Sequence, residues 1–162
     1  MKVFLIGATG LTGEAIVDQS LAQGHDITAL VRDASTVSAS HPHLHWVVGD
    51  ILNTREVDAA MAGQDAVICS LGTGVTFKHV TLFPDGTRHL LDAMRRHAVR
   101  RIVCITGIGA GDSRGHGGFF YRALLDLTGI TVGKIARADV AAFVLAQLTG
   151  DAFLRKTPRL KN

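Results

Sequence analysis

Three glycines fall within seven residues near the start of the sequence, Gly7-Ala-Thr-Gly10-Leu-Thr-Gly13, directly after the apolar run Lys2-Val-Phe-Leu-Ile6. That spacing suits a diphosphate. Gly7 permits a sharp exit from a strand, Gly10 lets the backbone approach phosphate oxygens without a Cβ in the way, and Gly13 lets the next helix pack tightly on the sheet. The amide groups around Thr9, Leu11 and Thr12 then face the anion at the positive end of a helix dipole. A glycine pattern carries meaning only between a strand and a helix. Here an apolar strand precedes it and an amphipathic segment follows, which makes Gly7, Thr9, Gly10, Leu11, Thr12 and Gly13 the candidate phosphate loop.

A second stretch, Ala29-Leu-Val-Arg32-Asp33, bears on the rest of such a ligand. In dinucleotide sites an acidic residue about twenty positions past the glycines takes the 2′-hydroxyl of NAD, whereas an arginine accommodates the 2′-phosphate of NADP. Both residue types stand side by side here. Arg32 lies nearer the strand end, and its planar fork suits bidentate phosphate binding and stacking on adenine. Asp33 is the competing candidate, for a ribose hydroxyl. The reading favours NADP(H), with NAD(H) as the alternative. Further strand ends should border the same ligand. Asp50 is placed to accept from the adenine amino group and Ile51 to pack on its face, although Asp50 equally suits capping the turn before the next helix. Leu71, Gly72 and Thr73 are small or apolar residues expected beside ribose and nicotinamide. Thr106 is the candidate catalytic hydroxyl near the reacting carbon.

These residues need a scaffold that brings strand ends together. Runs rich in Val, Ile and Leu predict strands at 3–6, 27–31, 45–48, 66–70 and 101–105. Helical spacing predicts helices at 11–23, 54–61, 84–98 and 139–148. Gly24 and Gly150 stand at expected stops, Pro84 suits a first helical turn, and Asn53 with Glu56 resembles a capping box. Strand–helix alternation implies an α/β fold with a doubly wound parallel sheet, the ligand crevice lying at the carboxyl ends of the strands. The expectation is one Rossmann-like NAD(P)-binding domain over residues 1–162.

Composition narrows the function classes. The chain has 162 residues, 47% of them hydrophobic and 19% charged, which suits a folded core rather than disorder. Its first apolar run is too short for a signal peptide or a membrane span, and a cytoplasmic protein without a membrane partner is expected. The net charge of +3 gathers at Arg95, Arg96, Arg100, Arg101 and the tail. No aromatics interleave these clusters, so nucleic acid is not an expected partner. Two cysteines, Cys69 and Cys104, lie in apolar strands and are expected reduced and buried. His41, His43 and His45 alternate, but nothing completes a ligand set, so no metal is assigned. His79 and His116 are expected on loops flanking the crevice.

With these pieces placed, the sequence resembles the atypical short-chain dehydrogenase/reductase superfamily, in its NmrA-like and flavin reductase/biliverdin-IXβ reductase branch. The resemblance is carried by GATGLTG (7–13), LVRD (30–33), VVGDI (47–51), QDAVICSLGTG (64–74), DGTRHLLDAM (85–94), ITGIGAGDS (105–113) and ARADVAAFVLAQL (136–148). It implies pyrophosphate at the glycine loop and the 2′-phosphate at the strand-two arginine, Arg32. Against that family the segment 115–134 looks shortened on the substrate side.

The conventional dehydrogenase acid, a tyrosine followed by a lysine one helical turn later, is missing, since Tyr121 is the one tyrosine and Leu125 follows it. Hydride transfer to a flavin or quinone demands less, because the acceptor delocalises charge and takes its proton from water. Two functions follow. One is an NADPH-dependent reductase with a planar acceptor. The other is a catalytically inactive NADP(H)-sensing protein that acts through protein partners.

Overall fold

The computed structural model describes residues 1–37, 39–72, 82–106, 135–158 and 160. Strands and helices alternate: β1 (Lys2–Ile6), α1 (Leu11–Ala22), β2 (Asp26–Val31), a 3-10 turn (Ala34–Thr36), β3 (Leu44–Val48), α2 (Thr54–Met61), β4 (Ala66–Cys69), α3 (Leu82–Arg96), β5 (Arg101–Cys104) and α4 (Arg137–Ala146). Two helices begin earlier than their spacing suggests. Pro84 sits in the first turn of α3, where its missing N–H costs nothing, so the helix starts at Leu82. In α4, Arg137 and Ala138 are good helix formers and extend the helix to the extended residue Ala136. The predicted positions Thr73, His79, His116, Tyr121 and Leu125, and the segment 115–134, lie outside the described residues.

The five strands pair in parallel, in the order β3-β2-β1-β4-β5. β1 runs in register with β2 (Leu5 beside Ala29) on one side and with β4 (Leu5 beside Ile68) on the other. The chain thus builds outward from β1 to β3, then returns to the far side of β1 for β4 and β5. That reversal opens a crevice above the carboxyl ends of β1 and β4.

Burial on both faces explains the apolar strands. In β1, Val3 and Leu5 point into one core, with Ile16 and Val17 of α1 and Val144 and Leu145 of α4. Phe4 and Ile6 point into the other, with Val57 and Met61 of α2 and Leu90 and Met94 of α3. Truncating a core residue of this kind to alanine costs about 2–5 kcal/mol. α1 and α4 are also tied by Gln19, whose amide donates to the Ala138 carbonyl at 2.9 Å. At the opposite end of the sheet, Arg101 donates to the Gly150 carbonyl at 3.0 Å and pairs with Asp151 at 2.8 Å. Among the described residues no helix is long and apolar enough to cross a membrane.

Candidate functional site

A cleft of about 560 Å³ opens at the carboxyl ends of β1 to β4. It is lined by Gly7, Thr9, Gly10, Leu11 and Thr12 after β1, Arg32 after β2, Asp50 and Ile51 after β3, and Leu71 and Gly72 after β4. Residues from four separate sequence stretches are therefore neighbours, as the strand-end reading expected.

The glycine loop is shaped by contacts that exclude side chains. Gly7 has φ +84°, and a Cβ there would collide with the Ser70 carbonyl, its carbon 2.7 Å away. Gly13 does not line the cleft. It is buried beneath the loop, where a Cβ would meet the Gly7 carbonyl oxygen and come within 2.8 Å of the Ala8 Cα. The loop thus rests directly on the first turn of α1. No side chain caps α1 at Gly10. The first-turn amides, without partners in any helix, are left to an anion in the cleft. A loop held this tightly on α1, ending at an uncapped helix start, fits a diphosphate.

Arg32 and Asp33 go separate ways. Arg32 is exposed, lines the cleft, and makes no hydrogen bond or ion pair among the described residues. Asp33 caps the 3-10 turn instead, its carboxylate accepting the Ser35 N–H at 2.8 Å. That backbone bond, with help from the Ser35 side chain, holds the Asp33 carboxyl below the usual carboxylate range. Asp33 is absent from the cleft lining.

The β3–α2 loop is braced from two sides. Asp50 does cap its own turn, accepting the Leu52 N–H at 2.9 Å, and it lines the cleft as well. The expected capping box takes a different form. The Asn53 side chain accepts the Arg55 N–H, while Glu56 reaches past its helix start to accept the Asp50 N–H at 2.7 Å and the Asn53 amide at 2.6 Å. His89 of α3 meets the Ile51 carbonyl at 3.1 Å, and Gly86 leaves room for the Ile51 side chain. Glu56 is thus a local brace for this loop, and His89 a positioning residue that short-range spacing could not reveal.

Other predicted residues fall elsewhere. Thr106 stands at the end of β5 and lines a second cavity of about 860 Å³, between β5, α4 and the tail, rather than the glycine cleft. Conversely, the cleft includes Arg137 of α4. Sequence reasoning missed it because the other lining residues all lie far earlier in the chain, none later than Leu82. The one signal was a cation at the start of a helix, otherwise unmatched. His43 pairs with Asp26 at 2.6 Å and its ring lies 5.6 Å from that of His41, at the amino end of the sheet. The cysteines depart from expectation in part: Cys69 is buried but Cys104 is exposed, because β5 is the last strand of the described sheet.

Known proteins resemble this arrangement. The family model described as NAD(P)H-binding matches residues 7–127. A chloroplastic protein of Arabidopsis thaliana is 37% identical over 115 residues, covering 66% of this chain and 41% of its own length. A 3-beta-hydroxysteroid dehydrogenase of Mycolicibacterium neoaurum is 33% identical over 113 residues, 63% of this chain and 31% of that protein. The chain therefore spans well under half the length of these relatives. Among solved structures, ChuY, an anaerobillin reductase from Escherichia coli O157:H7, superposes with a TM-score of 0.76 at 18% identity, covering 96% of this chain and 94% of that one. At that identity the likeness speaks for the fold.

Proposed function

The chain belongs to the NAD(P)H-binding family, and from that premise we propose that it is an NADPH-dependent reductase that passes hydride to a flavin, quinone or similar planar acceptor. The observation that carries the cofactor choice is the division of labour at the end of β2. Arg32 faces the cleft without a partner among the described residues, and Asp33 is occupied with Ser35. An unpaired guanidinium there favours a phosphorylated ribose over a hydroxyl.

The remaining roles follow from placement. The amides of Thr9 to Thr12 hold the pyrophosphate, and Arg137 adds a second guanidinium beside them. Asp50 and Ile51, fixed by Glu56 and His89, take the adenine. Leu71 and Gly72 border ribose and nicotinamide. When bound, the reduced nicotinamide supplies a hydride. The chain's own task is to hold the acceptor against it, since a delocalised acceptor takes its proton from water. Thr106, in the second cavity, is assigned to the acceptor rather than to the cofactor.

Kinship supports this reading in kind: one relative is named a dehydrogenase and a structural neighbour a reductase. Calorimetric titration with NADPH and NADH tests the cofactor, and loss of NADPH absorbance with FMN or a quinone tests the reaction. Tighter NADPH than NADH binding with turnover above the uncatalysed rate is expected. Absence of heat from either dinucleotide overturns the proposal. A sensing protein is the second reading, favoured by the position of Thr106 outside the cleft and by Asp50 being the one carboxylate among its described lining residues. Micromolar NADPH binding without turnover on any acceptor selects it.

A further inference from the structure

Cys69 ends β4 and Cys104 ends β5, and the two are direct partners in the parallel register. Residues paired in this way have Cα atoms about 4.8 Å apart, the spacing of neighbouring strands. That falls inside the separation a disulfide tolerates. Register partners also project from the same face of the sheet. On that face Cys69 is packed among Phe4, Ile6 and Val67, and Ile102, two positions before Cys104, packs against the same cluster. They are the only two thiols in the chain.

From this pairing we infer that Cys69 and Cys104 form a hydroperoxide-sensitive dithiol, oxidised to a disulfide that joins the carboxyl ends of β4 and β5. Access differs between the partners. Cys104 is exposed and lines the 860 Å³ cavity beside β5, which gives a small oxidant a route in, whereas Cys69 lies behind it. Their chemistry differs too. The Cys104 thiol donates to the Cys69 sulfur and the Leu71 N–H adds to it, lowering the Cys69 thiol to about 7. The same contact pushes the Cys104 thiol up.

One of the two sulfurs, as thiolate, attacks the peroxide O–O bond, and an alcohol or water leaves, with that cysteine as the sulfenic acid. The neighbouring sulfur then attacks it, water leaves, and the S–S bond forms. In sum, two thiols and one hydroperoxide give one disulfide, one alcohol and one water. The bridge would sit immediately before Ser70, Leu71 and Gly72, which line the cofactor cleft. The inference itself needs no cofactor and stands apart from the proposed reduction.

The test uses the reduced full chain and hydrogen peroxide in slight excess. The expected result is loss of both titratable thiols, an intact mass lower by about 2 Da, and full reversal by dithiothreitol. A peptide map without reductant should link the Cys69 and Cys104 peptides of one chain. Phenylarsine oxide, which needs two adjacent thiols, should bind reduced wild type once per chain and should not bind Cys104→Ser. Independent addition of oxygen to each cysteine overturns the inference, as does a disulfide between chains or failure of the arsenical to bind the wild type. The arsenical arm on wild type decides even where a serine variant fails to fold.

Discussion

The two cavities flank one sheet yet are built in opposite ways. The glycine cleft is walled by backbone: Gly7 against the Ser70 carbonyl, Gly13 beneath the Gly7 carbonyl, and an uncapped α1 start, with Arg32, Asp50 and Arg137 as its charged side chains. The cavity beside β5 is walled by side chains such as Ile102, Val140, Phe143 and Phe153, with Thr106 at its rim. Backbone contacts leave no room for substitution, whereas side-chain walls change with each residue. On the proposed function, the backbone-walled cleft takes the constant ligand and the β5 cavity takes the acceptor that varies.

The largest expected effect comes from breaking the backbone wall. Gly13→Val forces a branched side chain into the Gly7 carbonyl and the Ala8 backbone. It should abolish NADPH heat in calorimetry and destabilise by about 3 kcal/mol or more, lowering the thermal midpoint by roughly 6–12 °C. Unchanged melting and binding would show that the loop does not rest on α1. Next is Arg32→Ala, expected to weaken NADPH by about 10–100-fold while NADH stays within about twofold, as for loss of a charge-assisted phosphate contact. A parallel loss for both dinucleotides would place Arg32 elsewhere on the ligand. Arg137→Ala should do what Arg32→Ala does not, weakening NADPH and NADH alike by about tenfold and flattening the salt dependence of binding. Selective loss of NADPH alone would assign Arg137 to the 2′-phosphate.

Across the sheet, Thr106→Val should leave dinucleotide affinity within about twofold and alter only KM or kcat for the acceptor. A drop in NADPH affinity would merge the two cavities into one site. The smallest effect is expected for Asp33→Asn, since asparagine still accepts the Ser35 N–H. Dinucleotide preference should not move. Because Asp33 has a lowered folded pKa, its cap stabilises above the ordinary carboxylate value and is lost as pH falls through the folded value. In the variant, melting midpoints followed into acid should lose that slight extra decline. Selective loss of NADH binding would instead make Asp33 a ribose partner.

Much of this was legible because it is local. The glycines at 7, 10 and 13 specify a strand-to-helix turn through sterics that act within seven residues, and the Val-, Ile- and Leu-rich runs specify buried parallel strands through hydrophobicity alone. The strands came out within two residues of their expected ends, and Arg32, Asp50, Ile51, Leu71 and Gly72 met in one cleft because strand ends in such a sheet must. Whether Arg32 or Asp33 lined the cleft was also local, but the strand-end rule does not decide it. It depended on a 3-10 turn that engages the acid.

The sequence by itself thus determined the alternation of elements, the phosphate loop and the family of ligand, all consequences of periodicity and near-neighbour sterics. Only the tertiary structure decided that Arg137 joins the cleft, that Thr106 faces another cavity and that Cys69 lies beside Cys104. The last two of these reflect strand order and helix placement as much as residue type. Each is a meeting of side chains set by which elements the fold lays side by side, and no pattern along one chain records such a distance.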